Sequence, residues 1–323
     1  MIRVAALSKS FGPQQALNGC TFEVPAGHIV GLVGKNGAGK TTALRILSGQ
    51  LLPSAGEVWI GGHALSAEGL AIRSRIGYLP EIPPLYAEMS VPGYLRFVCR
   101  LRHVAEEGLA ARVEEVIERT GLAPVVHGSV QGSGGGQRLG TLSRGFSQRV
   151  GIAQAIVHDP PVVLLDEPMT GLDPLQIVQI RDLILSLKPR HTVLFSSHIL
   201  SEVTQICDRV ILLDQGTVKA EGSEAHLRKE LLQRRTLSLI VRGEAAALQK
   251  ALAPLKGAEL RLQPAQAGDE PGCTRAGIAG EQDLRERVGR LCVEAGLGLL
   301  ELREERHGLE ALMLQLLERD NAA

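Results

Sequence analysis

Residues 28–51 read HIVGLVGKNGAGKTTALRILSGQL, and the order of chain shapes within them decides the fold. HIVGLVG (28–34) is a continuous apolar run closed by glycine, as expected of a strand buried on both faces that enters a tight turn. TTALRILSGQL (41–51) spaces its apolar residues as a helix does. Between them the spacing is G-x-x-x-x-G-K-[ST]. Gly34, Gly37 and Gly39 let the backbone curl until successive N–H groups point inward. Lys40 brings a mobile positive charge suited to the β- and γ-phosphates of a nucleotide, and Thr41 offers a hydroxyl to Mg²⁺. A glycine-rich turn could match this spacing by chance, but here strand and helix flank it as the motif requires.

Further along, PVVLLDEP (161–168) and HTVLFSSH (191–198) are two more buried runs, each ending in polar residues. The first delivers Asp166, placed to hold Mg²⁺ through water, and then Glu167, placed to polarise an attacking water as general base. Two acids at a strand end would by themselves read as solvated groups; the phosphate loop gives them a task. Residues 2–7 and 20–24 alternate like edge strands about a Gly12-Pro13 turn, and GEVWIGG (56–62) is another short strand. Residues 90–120 are helical in pattern, GSVQGSGGGQRLG (128–140) reads as an irregular, mobile loop, and RVILLDQGTV (209–218) reads as a hairpin. Strands alternating with helices give an α/β fold, in which ligands bind outside the C-terminal ends of the strands. Gly34, Asp166–Glu167 and Ser197–His198 stand at three such ends.

LSRGFSQRVGIAQAI (142–156) reads as a helix opened by a Ser-x-Gly turn near Phe146. Phe146, Val150, Ala153 and Val157 share the face to be buried. Ser143 precedes it as a cap would, and free N–H groups with the positive dipole end suit an anion. Cap and anion site are both open readings of these residues.

The 323 residues are 44% apolar but only 3% aromatic, so the core is aliphatic. Lys+Arg and Asp+Glu both total 35, which argues against a broad basic surface, and no nucleic-acid partner is expected. Cys20, Cys99, Cys207, Cys273 and Cys292 are scattered without CxxC spacing and read as free thiols. No apolar run reaches the roughly 18–20 residues of a membrane span, and no secretory leader is visible, so a cytoplasmic chain is expected.

Taken together, these motifs resemble the ATP-binding subunit of an ABC transporter over about residues 1–222. GKNGAGKTT resembles Walker A, VVLLDEP Walker B with its catalytic Glu, LSRGF the signature, TGLD (170–173) the D-loop and SSH (196–198) the switch-histidine loop. The resemblance implies a P-loop NTPase of ABC type, with a RecA-like core, an antiparallel β subdomain and a helical subdomain at about 87–157. It implies ATP and Mg²⁺ as ligands, held by Gly34, Asn36, Gly37, Ala38, Gly39, Lys40, Thr41 and Thr42, with Phe11 stacked on adenine. His198 would sense the γ-phosphate. Two copies would pack head to tail, so that Ser143 and Gly145 of one bind the ATP of the other and Asp173 lies at the seam. A separate transmembrane permease would carry the substrate and hold the chain on the inner face of the membrane.

Two positions depart from the family pattern. Arg144 and Phe146 replace Gly and Gln in the signature. Glu81, in IGYLPEIPPLY (76–86), stands where a Gln usually meets Mg²⁺ and the attacking water. Both resemble the ABC-2-type exporter branch, as does LREERHGLEALMLQLL near the end. A soluble ABC-type ATPase outside transport is the alternative, but the long coiled-coil insertions or tandem units of such proteins are not seen.

From about residue 223 the pattern changes to β-α-β-β-α-β with a closing helix at 309–318. That predicts a small C-terminal α+β module of ferredoxin-like kind over 223–323. QPAQAGDEPG (263–272) would be an exposed loop in it.

Overall fold

The computed structural model describes residues 1–127, 137–231, 235–255, 257–264, 272–280 and 282–305. Two compact units divide the chain, Met1–Glu224 and Ala225–Ala323. The closing helix expected at 309–318, most of the loop expected at 128–140 and most of that expected at 263–272 lie outside the described residues.

The first unit opens with β1 (Ile2–Phe11) and β2 (Gln14–Val24), a hairpin turning at Gly12-Pro13. Both strands run further than the alternation predicts, because the antiparallel ladder continues to the pair Phe11–Gln14. β3 (Ile29–Val33) and α1 (Lys40–Leu47) flank the phosphate loop. Then come β4 (Ala55–Ile60), β5 (His63–Ala64), α2 (Leu65–Ser74) and β6 (Ile76–Leu79). The helical stretch holds α3 (Val91–Leu101), α4 (Leu109–Arg119), α5 (Ala123–His127) and a 3₁₀ turn at Leu139–Thr141. That turn corrects the expectation of an irregular chain up to residue 140: Leu139 N donates to Met89 O at 2.9 Å, which ties it down. α6 (Arg144–Ile156), β7 (Val162–Leu165), α7 (Pro174–Leu187), β8 (Thr192–Ser197) and α8 (Leu200–Thr204) follow. β9 (Arg209–Asp214) and β10 (Thr217–Gly222) make the expected hairpin that ends the unit, and α9 (Glu224–Leu231) begins at the boundary and lies otherwise in the second unit.

Six strands form the central sheet in the order β10-β9-β3-β8-β7-β6, parallel throughout except for β10. β3, β7 and β8 are buried along their whole length, as continuous apolar runs require when both faces are covered. A second, antiparallel sheet has the order β2-β1-β4-β5. Its inward residues Val4, Leu17 and Phe22 share one core with Leu32 of β3 and Leu44 and Leu47 of α1. Each such fully buried side chain contributes about 1.5–3 kcal/mol.

α6 lies directly on β6. A Cβ on Gly77 would stand 1.8 Å from Ala155 O, so only glycine allows this approach, and Gln154 Nε2 donates to Tyr78 O at 2.7 Å. Val150, Ala153 and Val157 are fully buried, whereas Phe146, in the first turn of a helix that starts two residues earlier than expected, is only half-buried.

The second unit, taken by itself, holds β11 (Arg235–Arg242), α10 (Ala245–Leu252), β12 (Glu259–Gln263), β13 (Cys273–Gly280), α11 (Arg285–Glu294) and β14 (Gly298–Glu305). Its sheet is antiparallel, in the order β12-β13-β11-β14. Leu237, Leu239 and Val241 of β11 pack against Leu248 and Leu252 of α10 and Val288 and Cys292 of α11.

Candidate active site

Three neighbouring parallel strands end side by side. Val33 pairs with Ser197 and Leu165 with Phe195, so the chain leaves β3, β7 and β8 at one edge of the sheet. There Lys40, Thr41, Glu167 and His198 line a cleft of about 600 Å³. Asn36, Gly37, Gly39 and Thr42 also line it, and Phe11 and Glu81 stand exposed at its rim. Gly34 and Ala38 lie beneath the loop: a Cβ on Gly34 would meet Leu213 O at 2.1 Å, and Ala38 is buried. Gly39 has φ +104°, and a Cβ there would meet Ala16 O at 2.5 Å. Both glycines are therefore required by the packing of the loop on β2 and β9.

Lys40 is almost wholly buried. Its Nζ donates to Gly34 O at 2.7 Å and Lys35 O at 3.2 Å, and stands 3.3 Å from Glu167 Oε1. The ammonium thus rests between the loop carbonyls and a carboxylate at the spot where the loop's geometry suits a phosphate.

Glu167 takes φ +48°, a left-handed conformation that costs a non-glycine residue about 1–3 kcal/mol. Its N–H donates to Ser196 Oγ at 2.8 Å, which holds that turn. Oε2 accepts from Thr170 Oγ1 at 2.8 Å and meets His198 Nδ1 at 2.8 Å. Burial pushes the Glu167 carboxyl up, but the hydrogen bonds from His198 and Thr170 and the charge of Lys40 outweigh it, and the group sits below its usual range. It is therefore an ionised carboxylate at neutral pH, as a general base must be.

Asp166 is fully buried. Oδ1 accepts from Ser196 Oγ at 2.7 Å and Thr41 Oγ1 at 3.2 Å. Oδ2 is buried with no hydrogen-bond partner among the described residues. Burial raises its pKa, against the Ser196 and Thr41 bonds, with the charges of Glu167 and Glu81 adding to the rise. A buried carboxylate oxygen without a hydrogen-bond partner, beside a hydroxyl, is a donor set of the kind hard cations take. Among the described residues no group of three or more His, Cys, Asp or Glu could hold a metal alone. Mg²⁺ binds through one or two protein oxygens together with phosphates and water, and Asp166 Oδ2 and Thr41 Oγ1 are oxygens of that kind. The residues present fit the ion.

Phe11 is half exposed at the rim, with Lys9 Nζ 5.2 Å from its ring centroid. Ser143 caps α6, its Oγ accepting from Phe146 N at 3.5 Å, and Asp173 caps α7, its Oδ1 accepting from Gln176 N at 2.9 Å. Ser143, Gly145 and Asp173 do not line the cleft of their own chain. They lie together elsewhere: a Cβ on Gly145 would meet the Gln176 amide at 2.7 Å, and one on Gly171 would meet the Arg144 guanidinium at 2.5 Å. The signature turn therefore rests on the TGLD loop.

Two contributors escape the sequence reading. Ser196 joins Asp166 to the Glu167 backbone, and Thr170 holds the Glu167 carboxylate. Ser196 was visible as the first residue of SSH and Thr170 as the first of TGLD, but nothing in spacing marks a hydroxyl as a brace.

A family model described as ABC transporter matches residues 17–170. An uncharacterized ABC transporter ATP-binding protein, YxlF of Bacillus subtilis, is 34% identical over 230 residues, covering 71% of this chain and 73% of the relative. The daunorubicin resistance ATP-binding protein DrrA3 of Streptomyces coeruleorubidus is 36% identical over 230 residues, covering 71% of this chain and 70% of its own. Among solved structures, an ATP-binding subunit of an ABC transporter superposes with a TM-score of 0.63 at 30% identity, covering 71% of this chain and 92% of its own.

Proposed function

Because the chain belongs to the ABC transporter family, as an ATP-binding subunit that hydrolyses ATP, we propose that it powers an exporter by closing head to tail on a second copy of itself. In this reading Phe11 stacks on the adenine, the loop at 34–42 wraps the phosphates, and Lys40 leaves Glu167 for the β- and γ-phosphates. Thr41, Asp166 and Glu81 would hold Mg²⁺, which would supply positive charge to the phosphate oxygens. Glu167, released from Lys40, takes the proton of the attacking water, and His198 meets the γ-phosphate while keeping Glu167 oriented.

One observation carries the two-copy reading. The cleft is lined by a phosphate loop, a carboxylate and a histidine, but by neither Ser143 nor Gly145 of the same chain. A second protomer would bring its own Ser143 and Gly145 over the open side of the cleft. The γ-phosphate then joins the protomers, and its hydrolysis releases them, which is the differential contact a ligand switch needs. Outward transport is supported by the relative named for daunorubicin resistance.

No helix among the described residues is long and apolar enough to cross a membrane, so the transport path would lie in a separate permease. A groove of about 650 Å³ offers a place for it, lined by Ile82, Pro83, Leu85, Leu139 and Leu142, with Glu81 at its end toward the cleft. That shared Glu81 would link permease movement to the state of the phosphates.

Glu167→Gln tests the reading. It should bind ATP, stop phosphate release and elute as a stable dimer on gel filtration with ATP. A monomer at saturating ATP, with binding intact, would sink the head-to-tail assembly.

A further inference from the structure

The SSH loop has a brace that the functional reading leaves unused. Glu202 stands in α8, four residues after His198, and is partly buried. No lysine or arginine among the described residues pairs with it. Withdrawing a carboxylate from water costs free energy that the hydrogen bonds it accepts must offset.

Its partner is Ser197. Ile199 N donates to Ser197 Oγ at 3.0 Å, so this hydroxyl already accepts from the backbone and has one proton to give. Two acceptors compete for it, Ile199 O at 3.3 Å and Glu202 Oε2 at 3.2 Å. The charged acceptor wins, because a hydrogen bond to a carboxylate is roughly twice as strong as one to a neutral carbonyl. Ser197 is thereby clamped from both sides, and the turn between Ser197 and Ile199 is fixed. His198 is the residue displayed by that turn, with Nδ1 2.8 Å from Glu167 Oε2.

We propose that Glu202 is a positioning residue for His198: through Ser197 it fixes the turn that holds the imidazole against Glu167 and toward the nucleotide. Glu202 itself lies outside the cleft lining and touches no reacting atom. The proposal rests on the role given to His198 above. It predicts an effect on turnover with little effect on nucleotide binding, which a mere loss of packing would not produce.

The test measures phosphate release and binding of a fluorescent ATP analogue for Glu202→Ala, Glu202→Gln, Ser197→Ala, the Glu202→Ala/Ser197→Ala pair and His198→Ala. Glu202→Ala should lower kcat about ten-fold, the worth of one hydrogen bond to a charged group, and leave KM within about two-fold. Glu202→Gln should recover most of that loss, since its amide oxygen still accepts from Ser197. Ser197→Ala should match Glu202→Ala, and the double variant should be no worse than either, because both remove one bond. If Glu202→Ala does not fold, Ser197→Ala decides the matter alone. Unchanged kcat in Glu202→Ala or Ser197→Ala, with His198→Ala inactive, overturns the proposal and leaves the role of His198 standing. Normal turnover by His198→Ala removes that role and the proposal with it.

Discussion

Replacing Glu167 by Gln should tighten ATP binding while it stops hydrolysis. Lys40 Nζ and Glu167 Oε1 are 3.3 Å apart, and both side chains are less than a tenth exposed. At an effective dielectric constant of about 20, that separation corresponds to a gross attraction of about 5 kcal/mol. Desolvation of both groups takes back most of it, leaving a net of about 1–3 kcal/mol. ATP must break this pair to gain the ammonium. Gln removes the competing charge, and it strands Lys40 with only the carbonyls of Gly34 and Lys35 until phosphate arrives. Two readouts follow. The nucleotide-free variant should be about 1–3 kcal/mol less stable to urea, and its Kd for ATP should fall about ten-fold. kcat should fall about 10²–10⁴-fold with loss of the base. Equilibrium titration with a fluorescent ATP analogue, urea melts and phosphate release measure the three. A variant that binds ATP more weakly than the parent chain would refute the argument that Glu167 holds the phosphate's place.

Three further outcomes are expected. Asp166→Asn keeps an oxygen for Ser196 and Thr41 but loses the charge at the unpartnered Oδ2, so the Mg²⁺ concentration for half-maximal turnover should rise at least about ten-fold; an unchanged Mg²⁺ dependence would exclude Asp166 as its holder. Burial, with the charges of Arg102 and Arg112, pushes His158 down from 6.5 to about 4, so the unfolded chain binds the extra proton first. Its contribution is complete above about pH 6.5 and is lost as pH falls toward 4, costing about 2 kcal/mol between pH 7.5 and pH 5; urea melts of His158→Asn should show a flatter pH dependence over that window. Gly77→Ala should cost about 3 kcal/mol, because its Cβ would meet backbone 1.8 Å away; a melting temperature equal to the parent's would show that α6 yields more easily than it is packed.

The phosphate loop and the acids after β7 were legible because their chemistry depends on local order: strand, glycines, lysine, helix. The three strand ends were legible because long apolar runs admit few alternatives. The lengths of β1 and β2 were not, since their last pairs are set by the partner strand rather than by alternation. α2 and α7 also passed unassigned. α7 has Asp173 as cap and Pro174 at its first turn, but its apolar residues crowd more than one face, and the signals were absorbed into TGLD. At the site, the sequence placed Lys40 and Glu167 in one cleft but did not pair them. That pairing arises from the left-handed turn at Glu167 and the Ser196 brace, features of tertiary position that no spacing encodes.

The fit between Gly77 and the Ala155 carbonyl has a mechanical meaning. With no clearance there, β6 and α6 travel as one piece, and the Gln154 amide rivets them. α4 belongs to the same piece, since Arg112 donates to Ile156 O at 2.8 Å and to Val157 O at 2.9 Å at the end of α6. Arg149 of α6 returns a bond to Thr120 O at the end of α4, so a push on that helix is delivered to the turn at Ser143 rather than lost on the way.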